Sequence, residues 1–338
     1  MEINPIKYFT LRRLLNVIKI LTSFSLSRII HKPIVWGMPI TYSVEPTNFC
    51  NLKCPECPSG TGELTRQLGF LSVGDFKKII DEISQTGFYV QLFFQGEPYL
   101  NKKLGEMIEY TQRKNIYVSV STNGNLISAR NIDKLMEHAP DKIIFSLDGL
   151  DEESYQNYRV GGTFKQADEA LQLLVNAKKK LNLKKPFVEL QFIVMKQNEH
   201  LLNEVRTYGK KRFVDRLVFK SMQISSYKNA LKYLPTKSNH SRYILKNGNY
   251  EIKGALKDHC FALWRTAVIT WDNKMVPCCF DKDANYVFGN LSEYSVREIW
   301  QSELYQLFRL GVLKNRKGNS LCNNCTEGLK VNIFQMKN

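Results

Sequence analysis

No run among the 338 residues approaches the roughly eighteen uninterrupted apolar positions of a membrane-spanning helix. The N-terminus also lacks the charged, apolar and small-residue regions that follow one another in a signal peptide. A cytoplasmic protein is therefore expected, with association at a membrane surface as a second reading. Acidic residues are scarce: 32 Asp and Glu face 48 Lys and Arg, a formal net charge of +16. Despite that surplus there is no aromatic-and-basic stacking motif and no recognition-helix signature, so nucleic acid is not an expected partner. In a reducing compartment the eight cysteines are not a disulfide framework, and clustered thiols point to metal binding or catalysis. The 43% hydrophobic content is enough for a full core, divided at this length into one large domain and a smaller one.

The positive charge is unevenly placed. Between Lys178 and Asp258 there are 19 Lys or Arg against 6 Asp or Glu. Such a segment is either a solvated lysine-rich surface or an attractor for an anionic substrate or partner. Near the N-terminus, "KYFTLRRLLNVIKILTSFSLSRII" (7–30) repeats Leu11, Leu14, Leu15, Ile18 and Leu21 at helical spacing, with Lys7, Arg12, Arg13, Lys19 and Arg28 interspersed. An amphipathic helix follows. Its apolar stripe is expected to pack against the protein's own body, with peripheral membrane contact as the alternative.

From residue 40 short apolar runs alternate with helix-period stretches. The runs are 40–46, 89–95, 116–122, 142–148, 187–194 and 216–220; the helical stretches are near 73–86, 101–114, 129–138, 165–181 and 199–212. Six strands alternating with helices imply parallel pairing with right-handed crossovers, an α/β fold in the form of a partial (β/α)6 barrel. The expected divisions are an N-terminal helical extension over 1–39, the barrel over 40–240 and a small C-terminal domain over 255–338. Ligands of such folds bind where the strands' carboxyl ends meet the loops. Cys50, Cys54 and Cys57 follow the first strand, Gly96, Glu97 and Pro98 the second, Asn123 the third, and Ser146 and Asp148 the fourth.

What the cysteine run lacks is a fourth thiol nearby. Structural zinc takes four protein ligands in a closed tetrahedron. A four-iron cubane held by the three thiolates of C-x-x-x-C-x-x-C leaves one iron open for a small ligand. At this point the sequence resembles the radical S-adenosylmethionine (radical SAM) enzymes, whose hallmark is this triad after the first strand of a partial barrel. The resemblance covers most of the chain from about residue 40. It implies a 4Fe-4S cluster on Cys50, Cys54 and Cys57 that binds S-adenosylmethionine through its open iron. One electron then releases methionine and a 5'-deoxyadenosyl radical, which takes a hydrogen atom from substrate; a flavodoxin or ferredoxin is the implied reductant. It further implies that Gly96, Glu97 and Pro98 meet the methionine ammonium, and that Ser146, with Asn123 and Asp148 as neighbours, lies along the cofactor. Glu56 departs from the family's aromatic residue before the third cysteine, which leaves the adenine to main chain, Phe49 or a later strand.

The other cysteines are Cys260, Cys278, Cys279, Cys322 and Cys325. On spacing alone zinc and iron-sulfur compete for them. The region resembles the SPASM domain in its one-cluster twitch form, in which a cysteine is followed eighteen positions later by a second and then by a distant C-x-x-C. That implies an auxiliary 4Fe-4S cluster on Cys260, Cys278, Cys322 and Cys325, with Cys279 left over as a free buried thiol, the commonest case, an alternative ligand or a proton-transfer group. Asn273 stands where the family has glycine before the second ligand and tolerates the same left-handed turn. Trp300 and Phe308 are read as core.

The expected activity is oxidation of a small polar, sugar-like or anionic substrate, with the auxiliary cluster accepting an electron. Peptide maturation is the alternative. Against it, only about 40 residues precede the first strand, fewer than a leader-recognition domain would occupy. A non-catalytic metal-binding or membrane-surface protein is the reading from another class. No catalytic base is assigned; Arg159, Lys196, Lys220 and Asp281 are candidates, and surface pairing is the commoner role for such residues.

Overall fold

The computed structural model describes residues 8–246 and 248–329. Lys7 and the last nine positions of the expected C-terminal domain lie outside them. The chain forms two compact units, one from residues up to 48 with 64–119 and 255–329, the other from 49–63 with 120–254.

In the first unit helix α1 (Leu11–Ile30) precedes β1 (Thr41–Val44), α3 (Val73–Ile83), β2 (Tyr89–Gln91), α4 (Leu104–Arg113) and β3 (Tyr117–Thr122), whose last three residues belong to the second unit. Strands β9 (Thr266–Ile269), β10 (Lys274–Val276) and β11 (Gly289–Asn290) and helices α10 (Ala262–Arg265), α11 (Val296–Gln301) and α12 (Glu303–Asn315) complete it. The strand order is β11-β10-β9-β1-β2-β3. β1 pairs in parallel with β2 on one side and with β9 on the other, so a strand of the C-terminal region completes the sheet beside the first strand. The hairpin β9–β10 closes on Asn273, which takes the left-handed conformation (φ 65°) expected of it. α3 shows why these helices form where they do: Ser72 accepts the Asp75 N–H at the N-cap, and Phe76, Ile79, Ile80 and Ile83 bury one face. Trp300 is fully buried and Phe308 half-buried, packed on Phe288 and Tyr286.

α1 docks the opposite way from the expectation. Leu11, Leu14, Leu15, Ile18 and Leu21 are between 44 and 74% exposed, whereas Arg13, Asn16, Ser23 and Ser27 are buried. The reason is hydrogen bonding. The Arg13 guanidinium donates to the carbonyls of Ser84 (2.7 Å) and Asn115 (2.6 Å), at the carboxyl ends of α3 and α4, where unpaired carbonyls and the helix dipole favour a cation. The Asn16 amide exchanges two bonds with the Met38 backbone (2.8 and 2.9 Å), and the Ser27 hydroxyl does the same with Ile34. These polar groups, together with buried Ile20 and Phe24, the latter packed on Phe261 and Trp264, fasten the helix, and the expected apolar stripe faces outward.

The second unit holds α2 (Pro58–Thr61), β4 (Lys142–Ser146), α6 (Glu152–Gln156), α7 (Phe164–Lys180), β5 (Phe187–Val194), α8 (Leu202–Lys211), β6 (Arg216–Ser221) and α9 (Tyr227–Tyr233), with the short helix α5 (Ile132–Glu137) ahead of β4. β4, β5 and β6 are parallel neighbours. α7 begins at a Thr163 N-cap, buries Ala167, Ala170, Leu171, Leu174 and Val175, and ends in Lys178–Lys180, cations suited to a helix C-terminus. A separate antiparallel hairpin, β7 (Tyr243–Lys246, YILK) with β8 (Asn249–Ile252, NYEI), has no counterpart among the expected strands; each strand is only four residues long, too short for its periodicity to mark it.

Candidate active and auxiliary-cluster sites

The cysteine loop is fixed by backbone contacts. Cys57 is the N-cap of α2, with Pro58 at its first turn, and its N–H donates to the Cys54 carbonyl (3.1 Å). Gly60 lies so close that a Cβ there would stand 2.6 Å from the Cys54 nitrogen. The Lys53 N–H donates to the Val160 carbonyl (2.7 Å), and the Leu52 N–H points at the Cys50 sulfur (3.5 Å). Cys54 is buried and Cys50 and Cys57 half-buried, packed against an apolar cluster that includes Leu52, Tyr158, Met195, Met222 and Tyr233.

A buried ion pair stands beside Cys54. Both oxygens of Asp148, itself fully buried, are engaged: the Arg159 guanidinium donates to one through Nε (2.6 Å) and Nη2 (2.5 Å), and the Ile193 N–H to the other (2.7 Å). Arg159 Nη1 lies 4.0 Å from the Cys54 sulfur. Burial pushes the Cys54 thiol and the Asp148 carboxyl up from their ordinary values, and the Arg159 cation pulls both back. Asp148 therefore anchors Arg159.

Asn123 reaches the cysteine loop directly, its amide donating to the Asn51 side chain (2.9 Å). Gly124 beside it has φ 78°, and a Cβ there would fall 2.2 Å from the Phe145 ring, so both backbone and space require glycine. Ser146 is buried at the end of β4. The Glu56 carboxylate accepts the Ser225 N–H (2.9 Å) with one oxygen, while the other is buried without a hydrogen-bond partner.

In the first unit Gly96 has φ 73°, Glu97 is buried and accepts the Tyr99 N–H (3.3 Å), and Pro98 opens a short 3-10 turn. The Gln95 N–H, just before this motif, donates to fully buried Glu45, which also takes a two-pronged bond from Arg66 (2.6 Å each) and the Trp271 N–H. Arg66 also donates to the Lys282 carbonyl (3.1 Å), and Asp283 accepts the N–H of Thr65 and Arg66. The segment after the cysteine loop is thus fastened to the loop that follows Cys278 and Cys279.

Around the C-terminal cysteines, Cys322 and Cys325 are buried and Cys260 and Cys278 half-buried, whereas Cys279 is exposed and not the buried thiol of the commonest case. The Cys325 N–H donates to the Cys322 carbonyl (3.0 Å) in the turn of a C-x-x-C knuckle, and the Glu327 N–H points at the Cys325 sulfur (3.3 Å). The buried Arg316 guanidinium donates to the Cys325 sulfur (3.6 Å) and to the carbonyls of His259 and Glu327 (2.9 Å each). Burial opposes its charge, but Cys260, Cys325 and Cys322 hold its pKa above the ordinary value. Burial raises the thiols in turn, that of Cys322 to about 11.

Among the described residues no three His, Cys, Asp or Glu side chains converge as a single metal ion requires. Iron-sulfur ligands bind different irons of one cluster, and hydrogen bonds to sulfur and nearby charge tune it. Thiols on tight loops, with N–H donors at Cys50 and Cys325 and a buried guanidinium beside Cys54 and Cys325, fit that donor chemistry. Of the base candidates, Asp281 is buried and accepts the Asn285 and Tyr286 N–H groups, while Lys196 and Lys220 are exposed.

The family model for the radical SAM superfamily matches residues 44–208, and that for the iron-sulfur cluster-binding SPASM domain matches residues 260–326. The chain belongs to the radical SAM superfamily. This radical SAM protein carries a C-terminal SPASM domain, and its cofactors are S-adenosylmethionine and two 4Fe-4S clusters, one SAM-binding and one auxiliary. It is 27% identical over 314 residues to a tungsten-containing aldehyde ferredoxin oxidoreductase cofactor-modifying protein of Pyrococcus furiosus, covering 84% of this chain and 86% of that one. Over 328 residues it is 24% identical to the antilisterial bacteriocin subtilosin biosynthesis protein AlbA of Bacillus subtilis, covering 89% and 70%. Streptococcus suis SuiB bound to S-adenosylmethionine shares the fold (TM-score 0.64, 15% identity, 95% of this chain and 76% of that one). The α/β radical SAM fold with a parallel sheet and a C-terminal SPASM domain is therefore the one expected from the sequence. The buried cations Arg66 and Arg316 were not foreseen, since neither belongs to a motif; Arg316 stands six positions before Cys322 with no spacing rule to mark it.

Proposed function

We propose that this radical SAM enzyme modifies a peptide. The observation that carries the reading is the match along nearly the whole chain to a bacteriocin biosynthesis protein. The β7–β8 hairpin adds support: it joins no larger sheet among the described residues, and an open strand edge is a ready partner for an extended peptide. Oxidation of a small anionic substrate is the second reading, favoured by the cofactor-modifying relative and by the basic segment 178–258.

In this reading Cys50, Cys54 and Cys57 hold the cluster that carries S-adenosylmethionine, and Gly96, Glu97, Pro98, Asn123 and Ser146 receive the cofactor. A buried carboxylate such as Glu97 suits an ammonium group. Bound there, cluster and S-adenosylmethionine supply homolytic hydrogen abstraction from the substrate. The Asp148–Arg159 pair keeps a cation beside Cys54, and the Leu52, Met195 and Tyr233 cluster keeps water from that loop. Cys260, Cys278, Cys322 and Cys325 hold the auxiliary cluster, and Arg316 offsets its negative charge.

The test is anaerobic incubation of reconstituted enzyme with reductant, S-adenosylmethionine and two libraries, one of short peptides and one of sugar phosphates. Peptides that lose hydrogen by mass in step with 5'-deoxyadenosine release are expected. Turnover of sugar phosphates alone would overturn the peptide reading in favour of the second.

A further inference from the structure

The outward face of α1 has no partner among the described residues and a composition that names one. Leu11, Leu14, Leu15, Ile18, Leu21 and Ile29 lie on one exposed face of a 20-residue helix. At 100° per residue Arg28 borders this face on one side, and Lys19 and Arg12 border it on the other; all three are exposed. No Asp or Glu occurs from Ile3 to Val44. Phe9 before the helix and Trp36 after it are both about half exposed. Six large apolar residues in one contiguous stripe exceed the scattered apolar positions that any surface carries.

The helix cannot turn that face inward, because its opposite side is already fastened through Arg13, Asn16 and Ser27 to the backbone around residues 34–38, 84 and 115. Nor is it a spanning segment: no helix among the described residues is long and apolar enough to cross a membrane. An apolar stripe bordered on both sides by cations, without acid and flanked by aromatics, is the pattern of a helix lying in a bilayer interface. There the apolar side chains enter the acyl boundary and Lys and Arg meet the headgroups.

We propose that α1 is a docking surface for an anionic lipid bilayer, holding the enzyme at the membrane with the helix axis in the plane of the interface. The proposal is independent of the substrate and goes beyond the reading of function above. It places catalysis at the lipid surface.

The experiment uses the full chain with both clusters reconstituted, sedimented with phosphatidylcholine vesicles that contain or lack phosphatidylglycerol. Binding to the anionic vesicles that weakens as salt rises is expected. Leu15→Glu with Ile18→Glu should lower the partition coefficient at least about tenfold, and Arg12→Glu with Lys19→Glu should remove the preference for anionic lipid. Neither pair touches the cysteine loops, so S-adenosylmethionine cleavage and the unfolding midpoint should hold and separate lost docking from lost folding. Absence of binding to both vesicle types would overturn the proposal. So would unchanged binding by the glutamate variants, or a self-association of the wild-type chain that Leu15→Glu with Ile18→Glu abolishes, since a second copy would then be the occupant.

Discussion

Replacing Asp148 with Asn removes one charge from the buried pair beside Cys54 and changes almost nothing else in shape. The Asp148 side chain is fully buried and that of Arg159 only 12% exposed, so the guanidinium would be left with no counter-charge of its own. At about 4 Å between charge centres and an effective dielectric constant near 20, opposite unit charges attract by about 4 kcal/mol. A neutral hydrogen bond from Arg159 to the Asn oxygen would return about 1 kcal/mol. Asn has one oxygen for two tasks, however, and whichever way the amide turns, either Arg159 or the Ile193 N–H loses its acceptor. The net expectation is a loss of about 3 kcal/mol, at the lower end of what breaking one side of a buried pair costs. Urea unfolding of the reconstituted protein under anaerobic conditions measures it. The double variant Asp148→Asn with Arg159→Met should lose less than the sum of the single losses, because the second change removes the stranded cation. A loss under about 1 kcal/mol, well short of the buried-pair cost, would refute the reasoning. So would undiminished stability together with weakened S-adenosylmethionine binding, which would assign Asp148 to the cofactor instead.

Arg316→Met should lower the midpoint potential of the auxiliary cluster in a potentiometric titration followed by electron paramagnetic resonance and leave that of the other cluster unchanged, since it removes a cation and a bond to the Cys325 sulfur. Glu152 accepts the N–H groups of Lys165 and Phe164 at the start of α7, and these bonds, Lys165 first, hold its carboxyl below the ordinary glutamate value. A depressed folded-state pKa gives stability that is present above the unfolded value, about 4.3, and is lost as pH falls through the folded one. Wild type should therefore exceed Glu152→Gln in melting temperature at neutral pH, and the gap should close in acid; a gap constant down to the acid transition would contradict the assignment.

The repeating unit of the fold was legible because each parallel strand is a short apolar run and each crossover helix carries its apolar residues at helical spacing. The strand before the cysteine loop and the helix Phe164–Lys180 lie where those patterns put them. Partner choice was less legible. Nothing in "TAVI" says that β9 pairs with β1 rather than within a lobe of its own, because a sheet edge accepts any strand of suitable register. The face on which α1 docks was hidden for a related reason: the stripe is visible in sequence, but the carbonyls that bind Arg13 come from residues 71 and 102 positions away. At the site, spacing alone marked the cysteines; position after the strands singled out Gly96, Glu97 and Asn123, and the family resemblance supplied their roles. Arg66, Arg159 and Arg316 acquire their significance from burial beside a carboxylate or a thiol, which no local pattern encodes.

The two sets of thiols have different tasks. Anaerobic reconstitution followed by iron and sulfide analysis should give about eight irons per chain, the content of two four-iron clusters, and 5'-deoxyadenosine on addition of dithionite and S-adenosylmethionine. The joint replacement of Cys50, Cys54 and Cys57 by Ala should leave about four irons and no 5'-deoxyadenosine, whereas Cys322→Ala should spare its formation and stop substrate oxidation. Zinc in place of iron, or undiminished 5'-deoxyadenosine from the triple variant, would contradict the central claim.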